Sequence, residues 1–143
     1  MSENAVAELE GGKWIKSQVE TACGDTINGA FLDLIPENVD FPAVRFEVYT
    51  REDVRTIAQH IVFSKVTFRV YVTTQGEVIK EMVGIAEDIH GALHQQRGET
   101  SAARILACTR LEPYGNTERS GAEVFRHAGG LYELLIQGLP ESP

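Results

Sequence analysis

The chain has 143 residues, 43% apolar and 24% charged, a composition that supports one globular domain with its own core and excludes wholesale disorder. Its 21 acidic and 13 basic residues leave a formal net charge of -8, the wrong sign for a protein whose main task is gripping nucleic-acid phosphate. The excess is concentrated early, because residues 1–50 hold 9 acids against 3 bases while the remainder holds 12 against 10.

The N-terminus, Met1 to Ala5, has neither the basic region nor the apolar run of a secretion signal. No stretch approaches the roughly 18 apolar residues of a membrane span, so no membrane contact is expected. Cys23 and Cys108 have no paired-thiol spacing and are expected as reduced thiols of a protein made in the cytoplasm.

In chain order, residues 1–12 end in Gly11-Gly12 and are expected to form an acidic, flexible arm. Ile15, Val19 and Ala22 follow at helical spacing, which predicts a short amphipathic helix from Lys13, with Trp14 at its edge. Phe31 to Ile35, ahead of Pro36, reads as extended. After Pro42, Val44, Phe46 and Val48 alternate with Arg45, Glu47 and Tyr49, which predicts a strand ending in a turn at Thr50 to Asp53. Between Gln59 and Thr74, the residues Val62, Val66, Phe68, Val70 and Val72 mark one face of a strand long enough to project beyond its sheet. The other face is mixed: Ile61, Phe63, Lys65, Thr67, Arg69 and Tyr71.

Val78, Met82, Ile85, Ile89 and Leu93 then define an amphipathic helix over about residues 75–95. A third strand is predicted over 103–111, a polar loop over 113–121, a turn at Gly129-Gly130 and a last strand over 131–137. The tail from Gly138 to Pro143 is expected to fray. The predicted architecture is a single α+β domain over residues 13–137, with a mainly antiparallel four-stranded sheet and two helices packed on one face.

Catalytic motifs are missing. The 13 glycines form no dinucleotide or phosphate loop, and no G-x-S-x-G elbow exists. Glu87, His90 and His94 share a flank of the second helix and contain the histidine pair of a transition-metal site. Spacing nominates no fourth ligand, and a solvated flank with a Glu–His pair is the preferred reading, so no cofactor is expected. Gly84 and Gly91, on another side of that helix, suggest that something packs closely there.

The mixed strand face is the candidate contact surface. Arg45, Glu47, Tyr49, Ile61, Phe63, Lys65, Arg69 and Tyr71 combine apolar, aromatic and arginine side chains in the proportions of an interface core, on the side the helices leave open.

Several segments together resemble the tail terminator, or tail completion, proteins of long-tailed bacteriophages. These are the N-terminal helix leading to Ile27-Asn28-Gly29-Ala30-Phe31-Leu32-Asp33-Leu34-Ile35-Pro36, then Phe41-Pro42-Ala43-Val44, the long strand His60 to Val72 feeding into a helix, and the closing Arg126 to Ile136. The resemblance spans roughly residues 13–137. It implies a non-enzymatic virion protein, assembled in the host cytoplasm, whose copies form a ring, by family habit a hexamer. That ring caps the tail tube, meets a head connector or neck protein, and lets DNA pass through its lumen without specific binding. Asp substituted at Phe63 or Tyr71 is then expected to leave a folded protein that fails to join tails to heads. The alternatives are a connector-side neck ring protein, or a small metal-dependent enzyme using Glu87, His90 and His94.

Overall fold

The computed structural model describes residues 3–55, 61–76 and 79–138. In chain order these form α1 (Glu3–Cys23), β1 (Ala30–Leu32), β2 (Ala43–Arg55), β3 (Ile61–Gln75), α2 (Ile79–Leu93), β4 (Gly98–Glu99), β5 (Ala103–Ser120) and β6 (Glu123–Gly138). Among the described residues the strands make one curled, mixed sheet of six, in the order β1-β2-β3-β6-β5-β4. β1 runs parallel to β2 and the other neighbours are antiparallel. The expected four-stranded antiparallel sheet is therefore corrected to a six-stranded mixed one. Two edge strands were not predicted, because three residues at β1 and two at β4 are too short to show a period of two.

The core lies on one face. Val44 and Phe46 from β2, Val66, Phe68, Val70 and Val72 from β3, and Tyr132, Leu134 and Ile136 from β6 are all buried there. Ile15 and Val19 of α1 and Met82, Ile85, Ile89 and Leu93 of α2 cover them and complete one apolar cluster.

The first helix begins at Glu3, not Lys13, and runs straight through the glycine pair. The reason is proximity to the sheet. A Cβ on Gly11 would sit 2.7 Å from Ile136 Cδ1 and 3.0 Å from Phe68 Cε2, so the glycine lets the helix backbone rest on the core. Glu10 is buried beside it, 3.1 Å from Lys13 Nζ. Its carboxyl lies below the ordinary value: burial alone would raise it, but hydrogen bonds from Thr100 and Lys13 outweigh that.

Three expected breaks are strand instead. The turn expected at Thr50 to Asp53 is the second half of β2, entered through a bulge between Val48 and Thr50. There Arg51 bonds Asp53 at 2.9 Å, Asp53 accepts from Ser64 Oγ at 2.7 Å, and Arg51 reaches Glu8 of α1 at 3.5 Å. The expected loop at 113–121 is the second half of β5, closed by a two-residue Gly121-Ala122 turn in which Gly121 takes φ +63. Gly129 and Gly130 lie inside β6, opposite Tyr71 of β3 and Pro113 of β5.

Candidate functional site

On the sheet face away from the helices, register builds a connected cluster. Arg45 of β2 sits opposite Tyr71 of β3, and Glu47 opposite Arg69. Glu47 accepts from Arg45 at 3.1 Å and from Arg69 at 3.0 Å, so one carboxylate ties two guanidinium groups together. The bulge after Val48 brings Tyr49 alongside, and the Arg69 guanidinium lies 5.1 Å from the Tyr49 ring and 4.9 Å from the Tyr114 ring. Arginine held against two tyrosines keeps its charge while shielding their faces.

The second half of β5 brings in residues that the sequence reading left out. Tyr114 packs on Tyr71 with ring centroids 5.1 Å apart, and His127 of β6 meets Tyr71 edge-on at 5.2 Å. Tyr71 is thereby 4% exposed, and burial pushes its phenol up to about 12. Tyr71 is thus a packing residue, and Tyr71→Asp is expected to damage the fold itself rather than leave a folded protein.

Five of the eight candidate contact residues, Arg45, Glu47, Tyr49, Arg69 and Tyr71, share this cluster. Lys65, opposite Glu52, and Phe63, opposite Val54, lie further along the β2–β3 hairpin. Ile61 pairs with Arg55 by backbone, and its side chain is outside the described residues.

Thr73, His127 and Glu118 form a hydroxyl–imidazole–carboxylate chain, with 2.9 Å from Thr73 Oγ1 to His127 Nδ1 and 3.2 Å from His127 Nε2 to Glu118 Oε1. Burial holds the imidazole below its ordinary value against the pull of Glu118, with Arg45 reinforcing the effect. A neutral ring that accepts from Thr73 at Nδ1 carries its proton on Nε2, facing Glu118. The chain is inverted relative to a nucleophilic triad. Its hydroxyl is buried, where no substrate reaches, and its carboxylate is on the exposed side. It joins β3, β6 and β5 as a strut.

His90 of α2 and His94 just after its end are also committed. The rings of His90 and His94 stack with centroids 4.7 Å apart. His94 Nδ1 accepts the backbone N–H of Arg110 at 3.1 Å, which places the proton of the neutral ring on Nε2, the nitrogen a metal would need. His90 Nδ1 lies 3.3 Å from the Tyr132 hydroxyl. Glu87 is exposed, and no group of three His, Cys, Asp or Glu side chains converges as metal ligands among the described residues. Gly84 and Gly91 face open space, and nothing among the described residues packs on them.

Cys23 and Cys108 are free and buried, and desolvation raises their thiols to about 11 and about 12, well away from a reactive thiolate. An open cleft lined by Asp40, Phe41, Pro42, Thr74, Gln75, Gly76 and Glu81 holds two carboxylates and no nucleophile beside a base.

Other features suit contact with other chains. β1 covers β2 only as far as Phe46, and Leu32, Leu34, Val48 and Tyr49 are exposed along that side of the sheet. At the opposite side, Leu111 is exposed at the β5 bulge. The β2–β3 hairpin also runs past the last β3–β6 pair, Ser64 with Ile136.

No family model and no curated protein matches the sequence. Among solved structures, a chain in the virion of a native gene transfer agent particle is similar, with a TM-score of 0.62 and 12% identity over 96% of this chain and 100% of that one. At that identity the likeness is one of fold, and it extends over essentially the whole of both chains.

Proposed function

We propose that this chain is a non-enzymatic structural protein of a phage-like virion, acting as a tail terminator. Copies form a ring, by the family's habit a hexamer, that caps the tail tube and joins it to a head connector or neck protein. The observation that carries the reading is the end-to-end fold likeness to a chain of the gene transfer agent virion. The site chemistry agrees with it. Among the described residues, the histidines and cysteines considered above are buried, committed to a structural bond, or unaccompanied by the partners that catalysis needs.

The virion role also suits the surfaces. A closed ring needs a heterologous contact, in which one patch of a protomer meets a different patch of the next. The apolar β1–β2 side and the β5 side supply two such patches at opposite ends of one sheet.

Electron microscopy of the purified protein mixed with tail tubes tests the proposal. Rings seated on tube ends, with a central hole wide enough for duplex DNA, are the expected result. Binding to the capsid portal in place of tube ends would move the protein to the connector side of the neck. Absence of binding to either would end the assignment.

A further inference from the structure

We infer that the turn after α2 is an acid-released latch on β5: His94, while neutral, holds the turn closed on the backbone N–H of Arg110, and lets it go when the ring takes up a proton. The inference is independent of the virion reading and concerns a movement within one chain.

The latch is built around one residue of β5. Arg110 N donates to His94 Nδ1 at 3.1 Å, and the Arg110 guanidinium faces the hydroxyl of Tyr132 as a donor. That turns the hydroxyl proton toward His90 Nδ1, 3.3 Å away. Both imidazoles are thus held through Nδ1 as acceptors, and each neutral ring carries its proton on Nε2. The rings stack with centroids 4.7 Å apart and planes 18° from parallel. Gln95 N donates to Cys108 O at 2.8 Å, while Gln96 N turns back to Leu93 O at 3.1 Å. Gln95 itself sits at φ +62, a left-handed conformation that a non-glycine residue holds only where its surroundings impose it. The bond to Arg110 is one of the ties that impose it.

A proton added to either ring must go to Nδ1, because Nε2 already carries one. At His94 this sets a second N–H against the N–H of Arg110, and an attraction becomes a repulsion. At His90 it sets an imidazolium near the Arg110 guanidinium. Burial, then Arg110, then His94 hold the proton affinity of that ring below its ordinary value. Two charges on stacked rings would also repel each other. His94 is therefore the ring whose protonation opens the turn.

The other groups around the pair do not restore the lost bond. Glu87, one turn earlier on α2, and Arg97, in the turn, are both exposed. Asp88 acts on Cys23 of α1, away from the pair, and Cys108 is a buried neutral thiol. Glu112 and Glu133 alternate with Arg110 and Tyr132 along their strands and lie on the far face of the sheet. α1 reaches this end of α2 through Gln18 Nε2, 3.0 Å from Ala92 O, a contact that does not titrate. Glu87 and the C-terminus of α2 favour a cation on either ring, which eases proton uptake without repairing the bond to Arg110. With the latch open, the outer side of β5 loses its cover at Arg110 while the sheet and core stay in place.

Amide hydrogen exchange of the full chain tests this, read at Arg110 and at Leu134 of the central strand β6 from about pH 7.5 to about pH 5 and corrected for intrinsic exchange. Protection at Arg110 should fall about tenfold or more on acidification while Leu134 keeps its own. His94→Asn places an oxygen near the position of Nδ1 and cannot titrate, so Arg110 should stay protected across the range. His94→Ala removes the acceptor and should leave Arg110 unprotected even at neutral pH. Constant protection in the wild type, a His94→Asn protein that still opens with acid, or a His94→Ala protein that keeps Arg110 protected would each overturn the latch. A parallel loss at Leu134 would also overturn it, because the whole chain would then be unfolding.

Discussion

The imidazole of His127 is enclosed by Tyr71, Thr73, Glu118 and the neighbouring charge of Arg45, and its burial disfavours the charged form. Its proton affinity in the folded chain lies below the ordinary value of 6.5, and that of His90 is lowered in the same direction by burial, Arg110 and His94. The sign follows from proton counting. As pH falls through 6.5 the unfolded chain binds these protons before the folded chain does, so stability is greatest above 6.5. It declines as pH falls through the depressed folded values and levels off below them. His127→Gln is expected to cost about 1–3 kcal/mol at neutral pH, through the lost bond to Thr73 and the ring packing on Tyr71. It should also flatten the slope of stability below pH 6.5. Urea melts of both proteins across that range would show it, and parallel slopes would mean that His127 does not titrate with folding.

Between residues and the whole stand the elements, where glycine decides most of what the sequence conceals. Long alternating or helical runs were legible: β3 and α2 fall where Val66, Phe68, Val70 and Val72, and Met82, Ile85, Ile89 and Leu93, place them. The misread breaks at Gly11-Gly12 and Gly129-Gly130 share one cause. Gly11, Gly129 and Gly130 read as breaks by local propensity, but in the fold they permit close approach. A Cβ on Gly129 would collide with the carbonyl oxygen of Val70 and lie 2.6 Å from Tyr71 Cα, backbone atoms that cannot step aside. Once Gly129-Gly130 reads as a turn, β6 is halved, the second half of β5 loses its partner and becomes a loop, and Tyr114 and His127 vanish from the site. Five of the cluster's residues were visible because they lie on the alternating stretches of β2 and β3. The remainder depended on a curl of the sheet that no local pattern announces.

The two kinds of glycine make opposite predictions. Gly129→Ala should destabilise by about 3 kcal/mol or more, as strained core substitutions do. Gly84→Ala, in a helix facing open space, should stabilise by up to about 1 kcal/mol. Thermal melting of the two variants checks both, and equal shifts would remove the distinction between packing glycines and incidental ones.

At the scale of the whole molecule, the acidic excess and the arginine–tyrosine cluster belong to different regions. Asp25, Asp33, Glu37 and Asp40 are exposed on the segments around β1, whereas in the Arg45–Glu47–Arg69 cluster one carboxylate is shared by two arginines. The sheet face away from the helices is thus closed by its own arginine–tyrosine packing near Tyr71, and it is open for contact chiefly at its margins and along the projecting hairpin. That separates two candidate contact residues that the sequence ranked together. Tyr71 is locked beneath Tyr114, but Phe63 is half-buried on the hairpin beyond the reach of β6, with Val54 as its cross-strand partner. Phe63→Asp removes only part of a buried side chain, an expected cost of about 1–2 kcal/mol that a domain of this size withstands. If the hairpin meets the tail tube or a neighbouring protomer, the variant should fold, melt cooperatively and fail to decorate tube ends, because a carboxylate would be desolvated at the contact. Circular dichroism together with tube-end decoration in electron micrographs reads both halves of the prediction. A folded variant that still caps tubes would place the contact elsewhere on the molecule.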